Sequence, residues 1–169
     1  MRRVHLGGQR GQSLAEFALV IPIFIVLVMG VLDLGRVVWA NNSLANAARE
    51  GARFAIAHGG AASTACPVGP PGPYTVIPAA SASCPYPSPS KQAIRNVALQ
   101  QAVAGGRNVT VTVCYGLNCA GDVDIAGATN LRGTPVTVRV TSEITLVTGS
   151  FLRLPNYSAA GTATMYVSH

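Results

Sequence analysis

The chain has 169 residues and a formal net charge of +6, with 49% hydrophobic and only 11% charged residues, against roughly 25% charged in an average soluble domain. That length holds one compact domain plus whatever a membrane takes, and the composition sets part of the chain apart from water. The positive charge does not point to nucleic acid: Arg2, Arg3 and Arg10 crowd the N-terminus, and the other basic residues are scattered without forming a stripe.

The first predicted element is a helix. From Phe17 to Leu32 no side chain is charged or strongly polar, and Leu14, Ala15 and Leu34 extend the run, interrupted by Glu16 and Asp33. About twenty residues at about 1.5 Å each match a hydrocarbon core of roughly 30 Å, so the segment reads as a membrane span. The arginines stand before it, with Arg36 alone just after it, and the positive-inside bias therefore leaves the N-terminus in the cytoplasm. Pro22 removes one helical hydrogen bond and crowds the carbonyl of Ala18, which predicts a bend or a loosened turn there. A cleavable secretory signal ending at Val38-Trp39-Ala40 is the rival reading. Its apolar run would be longer than such a signal needs, and Asp33 and Arg36 would fall before the cut.

Glu16 is the informative residue, because a carboxylate beside a membrane span needs compensation. One source is the helix dipole, if Glu16 lies in the first turn at headgroup depth. The string Gly11-Gln12-Ser13-Leu14-Ala15-Glu16-Phe17, behind the basic leader MRRVHLGGQR, supplies another. With Pro22, with Asp33-Leu34-Gly35-Arg36 closing the span, and with Asn46-Ala47-Ala48-Arg49-Glu50-Gly51-Ala52-Arg53 further on, it resembles the TadE-like family, the pseudopilins of the Tad/Flp (tight adherence) type IV pilus system.

That resemblance implies a prepilin peptidase that cuts between Gly11 and Gln12 and leaves Glu16 as the fifth mature residue. The cut removes Arg2, Arg3 and Arg10, taking the formal side-chain charge from +6 to +3, and creates an ammonium on Gln12. Glu16 of one subunit would pair with that ammonium on a neighbour, where a low dielectric strengthens the attraction. The chain departs from type IVa pilins in starting with Gln12 instead of an N-methylated Phe. The partners implied are the prepilin peptidase, other Tad/Flp pilins and pseudopilins, the inner-membrane assembly platform and the lipid bilayer. The implied role is a minor pseudopilin acting in pilus assembly, adhesion and biofilm formation, single-pass in the inner membrane with its C-terminal domain exported. The alternative is an uncleaved membrane-anchored protein whose exported head binds a cell-envelope component.

Past the span, Val37, Ala40, Leu44, Ala47, Gly51 and Phe54 recur at steps of three and four, which predicts a helix continuing to about Ala57 and ended by Gly59-Gly60. Its small apolar stripe either packs on its own domain or forms a seam between subunits. A helix from Gln12 to Ala57 would be about 70 Å long, a stalk carrying the head away from the membrane. Residues 59 to 89 hold eight of the eleven prolines and read as loop. The expected organisation is thus a leader at 1–11, a transmembrane helix at 12–35, an amphipathic extension at 36–58, the Pro/Gly-rich loop at 59–89 and an exported domain at 90–169.

In that domain, Lys91 to Ala104 reads as a short helix. Strands are expected at Asn108 to Tyr115, at Thr134 to Leu146 and at Ala160 to Val167, from alternating Val and Thr. The fold class is α+β: a long N-terminal helix, a short helix and a three-stranded antiparallel sheet. Cys66, Cys84, Cys114 and Cys119 all lie after the span, which favours disulfides. Of three possible pairings, Cys66–Cys84 with Cys114–Cys119 is the most local. Zinc lacks a second Cys pair or nearby His, and Asp122 with Asp124 falls short of the oxygens that calcium needs. No nucleophile–base pair or metal cluster stands out, so neither enzymatic activity nor a cofactor is expected.

Overall fold

A computed structural model describes residues 9–60, 66, 68–70, 90–103, 106–117, 121–153 and 155–168. Helix α1 runs without interruption over Gln9–Ala57, 49 residues, or about 74 Å at 1.5 Å per residue. It starts upstream of Gln12 and continues helical through Pro22. After the turn at His58, the described residues resume with α2 (Gln92–Gln101), β1 (Arg107–Tyr115), β2 (Pro135–Ile144), α3 (Val147–Leu152) and β3 (Tyr157–Tyr166). The architecture is α+β, as the sequence predicts.

The three strands form an antiparallel meander in the order β1-β2-β3. Along β2 the side chains alternate: Val136, Val138 and Val140 are fully buried, and Arg139 and Glu143 are exposed. This period of two gives the sheet one apolar face and one face carrying Thr112, Thr137, Thr162 and Arg139. Pairing of β1 with β2 slips between Arg107 and Thr110, where Asn108 takes a left-handed φ of 58°, a conformation that asparagine tolerates better than most residues.

The apolar face lies on the second half of α1. Ala40, Leu44, Ala47, Ala48, Ala52 and Ala55 are buried there with Val113, Val138, Val140, Ala159 and Ala163. Small side chains on both partners let the sheet come close. At Gly161 of β3, an added Cβ would lie 2.3 Å from the Leu44 carbonyl carbon and 2.4 Å from the Ala45 nitrogen. The small-residue stripe on α1 therefore packs on the chain's own head. The extension expected as a stalk thus lies along the sheet and supplies six side chains, Ala40 to Ala55, to the buried core of the head.

Helix α2 covers the rest of that face. Ile94 and Ala98 are fully buried, and Gly51 of α1 lies where a Cβ would meet the Ala98 Cβ at 3.1 Å. The helix stops at Gln101, short of the expected Ala104. Helix α3 was not expected from the sequence, which reads Thr134 to Leu146 as strand and passes over the residues that follow.

Candidate functional site

Three groups of residues bear on function: the N-terminal end of α1, its midpoint, and the loop that follows β1. At the N-terminal end, Gly11 lies inside α1 with open space around it, because nothing stands within 4 Å of a Cβ placed there. Gln12 and Glu16 are one turn apart on the same face, and the Gln12 amide Nε2 donates to Glu16 Oε1 at 3.4 Å. Both are exposed, and so is Phe17. This contact is a long side-chain hydrogen bond between neighbouring turns, worth a few tenths of a kcal/mol at about this spacing.

Around it the surface is apolar. Leu14 is 71% exposed, Leu19 69% and Ile23 64%, and the exposed run continues to Leu34. This helix is long and apolar enough to cross a membrane, and only 6% of its most apolar window is buried by the rest of the chain. That window therefore takes no part in the core of the head, which is built on the second half of the same helix.

At the midpoint of α1 the sequence reading missed the role of Asp33. The residue is only 4% exposed. Its Oδ1 accepts the backbone N–H of Val147 at 3.0 Å, and its Oδ2 accepts the Thr148 N–H at 2.8 Å and the Thr148 hydroxyl at 2.6 Å. Arg36 lies 3.8 Å away. The N-cap position of α3 is Leu146, which has no side-chain oxygen to offer. The carboxylate of α1 does that work across the fold, satisfying N–H groups that a helix start leaves without partners.

Beyond β1, Asp122 and Asp124 act as staples. Asp122 Oδ1 accepts Val113 N–H at 2.8 Å and Asp124 Oδ1 accepts Tyr115 N–H at 2.8 Å. Lys91 Nζ reaches Asp124 at 2.7 Å, and Arg95 pairs with Asp122. Both carboxylates are thereby spent on fastening α2 and the edge of β1, and no group of three or more metal-ligating side chains occurs among the described residues. Beside them Tyr115 is fully buried, and its hydroxyl has no partner among the described residues. Burial, and then the nearby Asp124 charge, push its ionisation well above the ordinary phenol range.

Cys66 and Cys114 each take part in a disulfide. Cys84 and Cys119 lie outside the described residues, as do residues 1–8 and most of the Pro-rich loop, so the expected pairings Cys66–Cys84 and Cys114–Cys119 fall there as well. What is described of the segment after α1 is strapped down by Asn130, whose carbonyl accepts Gly60 N–H at 2.9 Å and whose amide donates to the Val68 carbonyl at 3.1 Å.

Residues 11–53 match a family model described as TadE-like protein. The match starts at Gly11 and ends within α1, so α2, α3 and the sheet lie outside it. No curated protein and no solved structure matches the chain.

Proposed function

With a TadE-like segment at residues 11–53 as premise, we propose that the chain is a minor pseudopilin of the Tad/Flp pilus, a structural subunit and not an enzyme. It inserts as a single pass in the inner membrane with its N-terminus in the cytoplasm, is trimmed after Gly11 by a prepilin peptidase, and associates with other pilins and with the assembly platform through the exposed half of α1. Its role is to help build the pilus used for adhesion and biofilm formation.

The observation that carries this reading is the combination of a matched N-terminal segment with an apolar half-helix that the head leaves uncovered. In such a helix Glu16 is the only acidic residue before Asp33, and its partner among the described residues is the exposed amide of Gln12. A carboxylate so placed is compensated when an ammonium of an adjoining subunit, newly made on Gln12, comes within a few ångströms in lipid or protein surroundings. Before the cut that nitrogen is a backbone amide without charge. Processing therefore switches on the attraction that sets subunit register.

Cleavage as a secretory signal after Ala40 fits poorly. Ala40 is 2% exposed in the core of the head, and the cut would detach Asp33 from the α3 backbone it caps.

The test is the recovery of the chain with sheared pili from its native host. Wild-type protein is expected to co-purify with pilin, whereas Glu16→Ala is expected to insert in the membrane at normal levels and be lost from the pilus fraction by tenfold or more, the effect of about 1.4 kcal/mol. Normal incorporation of Glu16→Ala contradicts the charge pairing. A wild-type chain that never associates with pilus components supports the uncleaved anchor instead.

A further inference from the structure

Three fixed points show how the β2–β3 hairpin lies along α1. Ser168 N–H donates to the Ile56 carbonyl at 3.4 Å, Gly161 sits against Leu44 and Ala45, and the hairpin's far end is held by Asp33. Between Ile56 and Asp33 the helix rises about 35 Å. The tip of the hairpin, which contains α3, thus hangs at the level of Leu32 and Leu34, where the exposed apolar run of α1 ends.

The surface of this tip does not suit water. Phe151 is 78% exposed, with Leu152 and Val147 about half exposed beside it. Residues 144 to 157 include no acidic side chain. The carboxylate nearest to α3 is Asp33, which is buried by it. Arg153 and Arg36 are exposed on the same part of the molecule, and so is Trp39, one turn further along α1. Exposed large apolar side chains beside arginine and tryptophan have the chemistry of the bilayer interface, where rings and aliphatic stems enter the acyl boundary and cations meet lipid phosphates.

We propose that α3 is a second membrane contact, seating Val147, Phe151 and Leu152 in the interfacial layer of the leaflet from which α1 emerges and holding the head down on the bilayer. The inference rests on α1 spanning a membrane, with which the apolar surface of α3 is continuous. It also explains the buried acid: Asp33 stands where the span ends, and α3 covers its oxygens with N–H and O–H donors, so that lipid can close around the pair without facing a bare charge.

Trp39 is the chain's single tryptophan, so an indole can be moved to report depth. The full chain is reconstituted in dioleoyl-phosphatidylcholine vesicles with and without bromine-labelled acyl chains. Trp39→Phe is combined in turn with Phe151→Trp, with Leu19→Trp inside the span, and with Tyr166→Trp at the opposite end of the head. The indole at position 151 is expected to emit to the blue of that at position 166 and to lose emission with brominated lipid, less than at position 19. Red-shifted, unquenched emission at position 151 alongside quenching at position 19 overturns the α3 contact and leaves the span intact. Unquenched emission at position 19 as well overturns the span, and the α3 contact with it.

Discussion

Replacing Asp33 by alanine strips the partners from two backbone N–H groups and one hydroxyl at the start of α3. A hydrogen bond to a charged group contributes about 1.5–3 kcal/mol net, and three that share one carboxylate do not add, because water can reach part of an emptied site. A net loss of about 2–3 kcal/mol is the expected result for Asp33→Ala, with faster hydrogen exchange at Val147 and Thr148; unchanged exchange at those amides would show that α3 does not depend on the carboxylate. Tyr115→Phe tests the opposite case. Its hydroxyl is buried without a partner among the described residues, so removing it is expected to leave urea stability unchanged or raise it by about 1 kcal/mol, and a loss of more than that would reveal a bond to the hydroxyl. The sequence told Glu16 from its surroundings because a lone charge in an apolar run is visible locally. Asp33 was just as visible as a charge, but its partner stands 114 residues away in the chain, a separation that no local pattern encodes.

At the scale of elements, the contact of α1 with the sheet depends on missing side chains. A valine at position 161 would drive atoms into the backbone of Leu44 and Ala45, and Gly161→Val is expected to cost about 3 kcal/mol, the upper end for overpacking, read as a lower denaturant midpoint of the head. A midpoint equal to wild type would mean that the sheet does not seat on α1 at that height. The stripe of Ala40, Leu44, Ala47 and Gly51 could be read from its helical spacing, and the valine–threonine strands from their alternation. Which surface the stripe would meet could not, because a small apolar seam serves a subunit neighbour and a sheet equally well. Helix α3 escaped for a physical reason as well. Its six residues, VTGSFL, include β-branched and glycine positions that disfavour helix, and its cap comes from another element. The short helix after the loop ends at Gln101 with Ala102 as its C-cap, short of the expected end, because the sequence offers Gly105-Gly106 as the visible stop signal.

At the scale of the whole molecule, α1 divides into an exposed apolar half and a half packed in the head. Its first half offers leucine, isoleucine and phenylalanine to the outside, and its second half is buried in the head it helps to build. In the proposed assembly role, a continuous helix shared in this way would carry a displacement of its apolar half into the head. The TadE-like match covers only this helix, so the proposed assembly role rests on α1. What makes α1 competent to assemble, in this account, is the exchange of a basic leader for a single ammonium at Gln12. Substituting Gly11 by valine is expected to leave the leader attached, visible as a slower band on a gel; a band running with processed wild type would remove Gly11 from the junction. The most direct measurement is the intact mass of the wild-type chain purified from its native host while pili are being made. The account predicts a mature protein that begins at Gln12, lacking residues 1–11, and a chain that still begins at Met1 in piliated cells would contradict it.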